Sequence, residues 1–268
     1  MGSLNRSWTL VKESFTVLKK DKELLFFPIL SGVFTILLFI SFIIPIFFTG
    51  SFPFNSYLGL FVFYLLSYFI VIFFNAGLII CANIRLSGGD PTVKDGLVGA
   101  VKHVGNIFIW AIIAATVGLL LRALSEKAEN NLLAQLVISF LGMAWSLLTF
   151  FVVPIMVLEK VSPFRAIKES TLLFKKVWGE TVVGNFSING VFLLAYILLI
   201  ALGIGSFFLF GSASLPFIGL LILLGLGLAI LAGTLNGIFV TALYRYASNG
   251  ELSDSFSSEH IKSAFVRK

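Results

Sequence analysis

The stretch "VKESFTVLKK" at Val11–Lys20 returns as "IKESTLLFKK" at Ile167–Lys176, and each copy stands just ahead of a long apolar run. Drawn as a helix, the first puts Leu4, Trp8, Val11, Phe15 and Leu18 on one stripe by steps of four and three. The second does the same with Phe164, Ile167, Thr171, Phe174 and Trp178, one polar lapse included. Each copy predicts an amphipathic helix with a basic far face. Ahead of a membrane span, such a helix is expected to lie along the cytoplasmic interface, apolar side down among the headgroups.

A weaker copy, "VKDGLVGAVK" at Val93–Lys102, aligns Lys94, Asp95 and Lys102 with Lys12, Glu13 and Lys20. Its Gly96 and Gly99 make it a poorer helix former. Two copies carry start signals: Asp90–Pro91 and Ser162–Pro163 each supply an N-cap residue followed by Pro at the first helical position. The predicted unit is an interfacial helix plus a transmembrane hairpin, used three times at a spacing of about 80 residues, a period that argues for duplication. This gives one membrane domain over 1–268, with pseudo-repeats 1–88, 89–161 and 162–250 and an amphipathic tail over 251–268. The alternative is three unrelated basic interfacial helices, which membrane proteins commonly carry.

Composition decides between membrane and water. The 268 residues are 58% hydrophobic and 12% charged, the mean hydropathy is +1.03, and soluble domains carry about 25% charged residues. No charge falls in Leu24–Ile84, Val104–Leu121, Asn130–Leu158 or Thr181–Tyr244, while one bilayer crossing needs only about 20 apolar residues. Turn chemistry at Gly50–Ser56 and Phe210–Pro216 divides the first and last blocks. An all-α membrane bundle of six spans is predicted: Leu24–Phe48, Tyr57–Ile84, Val104–Leu121, Leu132–Leu158, Thr181–Leu209 and Leu215–Tyr244.

Basic residues set the orientation, because Lys and Arg resist translocation. Arg6 through Lys22, Arg85, Lys94, Lys102, Lys160 through Lys176 and Arg245 through Lys268 fall on one side, against Arg122 and Lys127 on the other. Both termini are therefore expected in the cytoplasm, with the protein in the plasma (inner) membrane. The net charge of +6 reads as a collar for anionic headgroups of membrane lipids, not as a nucleic-acid surface. No cleavable signal peptide is expected, since no small-residue cleavage site follows the first apolar run. The single cysteine, Cys81, has no intrachain partner and is expected to be a small packing residue.

Chemistry is sparse. His103 and His260 are the only histidines, no HExxH, DxD or Gly-rich phosphate loop occurs, and carboxylates are scattered. No catalytic residue, metal site or cofactor is expected. Pumping leaves ionisable groups inside spans, and none is found there. The spans instead hold amides: Asn75, Asn83, Gln135, Asn185, Asn189 and Asn236, candidates for ligand or pore lining, or else for interhelical hydrogen bonds. Gly225, Ala229, Gly233 and Gly237 form a small-residue ribbon at four-residue steps, suited to packing within the chain or between copies. Arg85, Glu159 and Arg245 end the three hairpins. If the hairpins ring an axis, these charges converge and Glu159 pairs with one arginine; otherwise the arginines snorkel to headgroups.

The segments "LLFFPILSG" (Leu24–Gly32), "FFNAGLIICANIRLSGGDPTVKDGL" (Phe73–Leu97), "AWSLLTFFVVPIMVLE" (Ala144–Glu159), "WGETVVGNF" (Trp178–Phe186) and "GTLNGIFVTALYRYA" (Gly233–Ala247) resemble an uncharacterised prokaryotic membrane family, domain of unknown function 6159. The resemblance implies a six-span membrane protein of bacteria or archaea and transfers no activity, substrate or site. Repeated hairpins, buried amides and a basic collar point to a non-enzymatic protein that binds or passes a lipid-like or small polar solute. The alternative is an accessory or scaffold protein acting through a protein partner or a homo-oligomer. A lipid-modifying enzyme would need Glu159, Arg85, Arg245 and His103 in one cavity.

Overall fold

The computed structural model describes residues 14–49 and 57–249, with the side chains of 46, 47, 49, 57, 177–188 and 249 excepted. The expected turn at Gly50–Ser56, the tail over 251–268 and His260 lie outside the described residues. Among those described, the chain is helical with no strand. The elements are α1 (described over residues 14–20), α2 (Phe26–Thr49), α3 (Tyr57–Leu86), α4 (Val93–Lys102), α5 (Val104–Lys127), α6 (Leu132–Leu148), α7 (Val152–Leu158), α8 (Pro163–Phe210) and α9 (Leu215–Asn249). Five stretches among them are long and apolar enough to cross a membrane: Lys22–Pro45, Leu58–Leu86, Val104–Lys127, Leu132–Leu158 and Asn189–Ser248.

The fifth stretch runs through a tight 3-10 turn at Gly211–Ser214, where the chain reverses. Gly211, at φ +54°, takes a backbone conformation that side chains with a Cβ rarely adopt. Beyond it α9 lies against α8, with Gly203 facing Leu221 and Gly225 facing Leu199.

The three amphipathic segments differ in how they join the span that follows. After residue 20 the chain takes a short 3-10 turn, Lys22–Leu25, capped by Asp21, whose Oδ1 accepts from the Glu23 backbone N–H at 3.2 Å. Between α4 and α5 there is only a break at His103, whose Nδ1 lies 2.8 Å from the Gly99 carbonyl. The third copy has no break: α8 is one helix of 48 residues, about 70 Å at the usual rise per residue.

Start signals fare unequally. Ser162 takes the N-cap position of α8, without a side-chain cap bond, and Pro163 opens the helix. Asp90–Pro91 does not start α4; the cap is Thr92, in a capping box with Asp95. Thr92 Oγ1 accepts from the Asp95 N–H and Asp95 accepts back at the Thr92 N–H at 2.9 Å, so two orphan donors are satisfied reciprocally. The Thr92 hydroxyl, donating to Asp95 Oδ2 at 2.7 Å, and then the Thr92 N–H hold the Asp95 carboxyl below the usual carboxylate range. Asp90 pairs with Arg85 instead.

The fourth expected span is split. Pro154 sits in the first turn of α7 and has no N–H for the Phe150 carbonyl, so the helix breaks over Thr149–Phe151. Ser170 of α8 repairs the break: its hydroxyl accepts from the Phe151 N–H at 3.1 Å and donates to the Leu148 carbonyl at 2.7 Å.

α3 packs against α2, α4, α5, α7 and α9. α7 and α9 also touch each other, so the second helix of each expected hairpin meets the other two. The core is shared among these three, with Ile79, Ile155, Met156 and Ile238 essentially inaccessible to solvent. α3 and α4 approach closely at Gly77 and Gly96, where the buried Phe27 ring of α2 covers both glycines. Cys81 is buried beside them and its thiol donates to the Thr92 carbonyl at 3.3 Å.

Candidate functional site at the polar end of the bundle

The last turns of α3 and α9, the end of α7 and the first turns of α8 meet at one end of the bundle, and hydrogen bonds from sequence-distant side chains tie them together. Arg245 of α9 donates from Nη1 to the Asn83 carbonyl at 3.3 Å, to Asn83 Oδ1 at 3.2 Å and to the Ser87 hydroxyl. The adjacent Tyr244, buried in the core, donates its hydroxyl to Glu159 Oε1 at 2.7 Å. These bonds join α3, α9 and α7 through two consecutive residues.

Of the three hairpin-end charges, Glu159 therefore has the Tyr244 hydroxyl as its donor. Arg85 faces the other way. Its Nε reaches Asp21 Oδ2 at 3.3 Å, and a second nitrogen pairs with Asp90. Asp21 is almost fully buried, so this pair costs desolvation and is held by geometry, with Asp21 also capping the Lys22–Leu25 turn. Glu23 in that turn accepts from the Val93 N–H at 2.8 Å, satisfying another donor at the start of α4.

Beside Glu159, Glu169 Oε1 accepts from Arg165 Nε at 2.7 Å one turn away. The Arg165 guanidinium holds the Glu169 carboxyl below the usual range. Oε2 of Glu169 is buried without a donor among the described residues. No group of three or more His, Cys, Asp or Glu side chains able to hold a metal ion occurs among the described residues. His103 is spent on α4 and does not join the cluster.

The amides take several positions. Asn83 belongs to the polar end through Arg245. Asn75 lies across from Gly237 at the α3–α9 contact. Asn236 is half-buried, with Oδ1 lacking a donor among the described residues. Gln135 sits in the first turn of α6 and donates to the Glu129 carbonyl at 3.0 Å, a role in the α5–α6 turn. Asn189 is exposed on α8, and Asn185 lies on the same helix with its side chain outside the described set. The ribbon on α9 meets three helices in succession: Gly225 faces Leu199 of α8, Gly233 faces Pro28 of α2 and Gly237 faces Leu78 of α3. Ala229 and Gly233 remain exposed.

Away from the polar end, a cleft of ≈ 610 Å³ opens between α8 and α9, walled by Leu199, Gly203, Phe207, Leu221, Ile222 and Gly225 among others. Tyr196 brings the one hydroxyl to its lining. Phe208, at its edge, is 84% exposed, so the cleft opens sideways, toward lipid in a membrane. A sequence profile matches residues 54–254, three quarters of the chain. The chain belongs to the DUF6159 family. The family is one of unknown function. Its match begins just before α3 and takes in every partner at the polar end except Asp21 and Glu23. No curated protein matches the chain.

Sequence reading passed over Ser170, Tyr244 and Asp21. Ser170 carries a retrospective signal, since the same Ser stands at the fourth place of both strong copies, Ser14 and Ser170, where the weak copy has Gly96. All three are buried. Ser170 and Gly96 each sit where their segment touches a neighbouring helix.

Proposed function

We propose that this protein is a non-enzymatic, six-span integral membrane protein that takes a lipid-like molecule sideways from the bilayer into the cleft between α8 and α9. The cleft carries the reading: it is apolar on both walls and opens toward lipid, so an acyl chain is held there by packing and shape. Support for six spans comes from the reversal at Gly211–Ser214 and the helix contact that follows it. The gathering of Arg85, Arg165 and Arg245 near one end supports a common cytoplasmic face for the three hairpin ends, and hence cytoplasmic termini in a prokaryotic plasma membrane. The contact of α3, α7 and α9 supports three pseudo-repeats about an axis along the membrane normal.

The test is native mass spectrometry of the full chain purified in mild detergent and stripped of annular lipid. The wild type is expected to retain a defined lipid adduct. Gly203→Trp, whose side chain is built toward Leu221 across the cleft, is expected to lose it. An adduct that survives unchanged in Gly203→Trp overturns the assignment to this cleft. The second reading, an accessory protein working as an oligomer, draws on Ala229 and Gly233 lying exposed on the small-residue ribbon; a fixed oligomer with no retained lipid would favour it.

A further inference from the structure

We propose that a second cleft, between α3 and α5 at the end remote from Arg85, binds one zwitterionic phospholipid, with the lipid phosphate on Arg122 and its ammonium on Glu126. The cleft measures ≈ 270 Å³, its floor is apolar (Leu60, Phe61, Leu119, Leu120) and Arg122 and Glu126 stand at its edge. Leu120 is 59% exposed, which opens the floor sideways for an acyl chain.

The head of the site is built in advance. Arg122 donates from Nε to Glu126 Oε1 at 2.9 Å and from Nη1 to the Tyr64 hydroxyl of α3 at 3.0 Å. A guanidinium has five N–H donors in a planar fork, and two are used here, which leaves about three for an oxyanion. The charged side chains are 49% and 66% exposed, so a headgroup reaches them without rearrangement. Phosphate suits the fork geometry. Glu126, one helical turn on, leaves Oε2 for an ammonium and opposes a second negative charge, so the pair is complementary to a phosphate and an ammonium carried by one headgroup. The location adds a further argument. Arg122 is one of two basic residues on a face that the distribution of Lys and Arg otherwise leaves bare, and topology alone disfavours a cation there.

The site shares no residue with the α8–α9 cleft and stands or falls separately from it. The test reconstitutes the full chain in vesicles of equal phosphatidylethanolamine and phosphatidylglycerol, extracts it in mild detergent and counts retained lipids by native mass spectrometry. Wild type is expected to retain phosphatidylethanolamine preferentially. Arg122→Gln is expected to lower that retention about tenfold, the scale of a lost charge-assisted hydrogen bond. Glu126→Gln is expected to move the preference to phosphatidylglycerol. Leu120→Trp, which fills the floor and keeps the Arg122–Tyr64–Glu126 bonds, is expected to lose the lipid as well, and this covers the event that Arg122→Gln fails to fold. Gly203→Trp is expected to leave the Arg122-dependent lipid in place. Equal retention of the two lipids by wild type, or full retention in both Arg122→Gln and Leu120→Trp, overturns the proposal whatever happens at the α8–α9 cleft.

Discussion

At the scale of single residues, glycines separate those the packing requires from those it merely tolerates. A Cβ on Gly96 would lie 2.7 Å from the Gly77 carbonyl oxygen and 2.7 Å from Cys81 Sγ, and closer still to the Phe27 ring. The carbonyl belongs to a helix backbone and has nowhere to retreat. Ala in place of Gly gains about 1 kcal/mol of helix propensity, whereas overpacking a tight core costs about 1–3 kcal/mol or more. The steric cost wins, and Gly96→Ala is expected to lower the melting temperature in detergent. Gly32 of α2 has no atom within 4 Å of a built Cβ, so Gly32→Ala is expected to hold or raise it. A thermal-shift comparison of the two decides the matter, and equal melting would remove the Gly77–Gly96 contact from the account. Sequence alone marked Gly96 as a weakness in a helix former. Its use as a contact depends on Gly77 and Phe27, and nothing local in either segment announces that they meet.

At the scale of elements, Ser170 belongs with the break between α6 and α7. Pro154 frees backbone groups near Thr149–Phe151, and within a membrane such groups must find partners in the protein. Ser170→Ala strips both bonds at once and leaves the Leu148 carbonyl and Phe151 N–H buried, at a cost of about 1–3 kcal/mol. If the break causes that demand, Pro154→Ala, which restores a donor for the Phe150 carbonyl, should shrink the cost of Ser170→Ala. The double-mutant cycle is therefore expected to show coupling between these two positions on different helices. Faster amide exchange at Phe151 in Ser170→Ala alone is the local signature, and additive melting effects would sever the two. The span over Leu132–Leu158 was legible because apolar length needs no partner to be read. Its break was half-legible, since Pro154 is visible in sequence but its ring acts only if the helix would otherwise run through it. The tie to Ser170 was hidden, because a serine in an amphipathic repeat reads as part of the polar face until the facing helix is known.

At the scale of the whole molecule, two amphipathic segments dock on a helix that precedes them in the chain, α4 on α3 through Gly96 and the start of α8 on the α6–α7 break through Ser170, while the Lys22–Leu25 turn touches both α9 and α3. Hydrophobic length and charge blocks marked the long apolar helices, but not the break before α7 nor the continuity of α8 from Pro163 to Phe210. The charges at the hairpin ends were also visible, yet their partners, Asn83, Tyr244 and Asp21, followed only from how three second helices meet. What this order leaves to experiment is the side of the membrane reached by the Gly211–Ser214 turn, because α8 and α9 together form one apolar stretch of 60 residues, Asn189–Ser248. Two crossings at about 20 residues each fit within it, and so would a hairpin that enters and leaves by the same face. Ala213 is exposed in the turn, so Ala213→Cys in a Cys81→Ser background reports its side. An impermeant maleimide on intact cells is expected to label Ala213→Cys, and to label Lys94→Cys and Lys160→Cys only after permeabilisation. Labelling of all three only after permeabilisation would make α8 and α9 a re-entrant hairpin. The bundle would then have four crossings, and the α8–α9 cleft would open into the cytoplasmic leaflet, not the outer one.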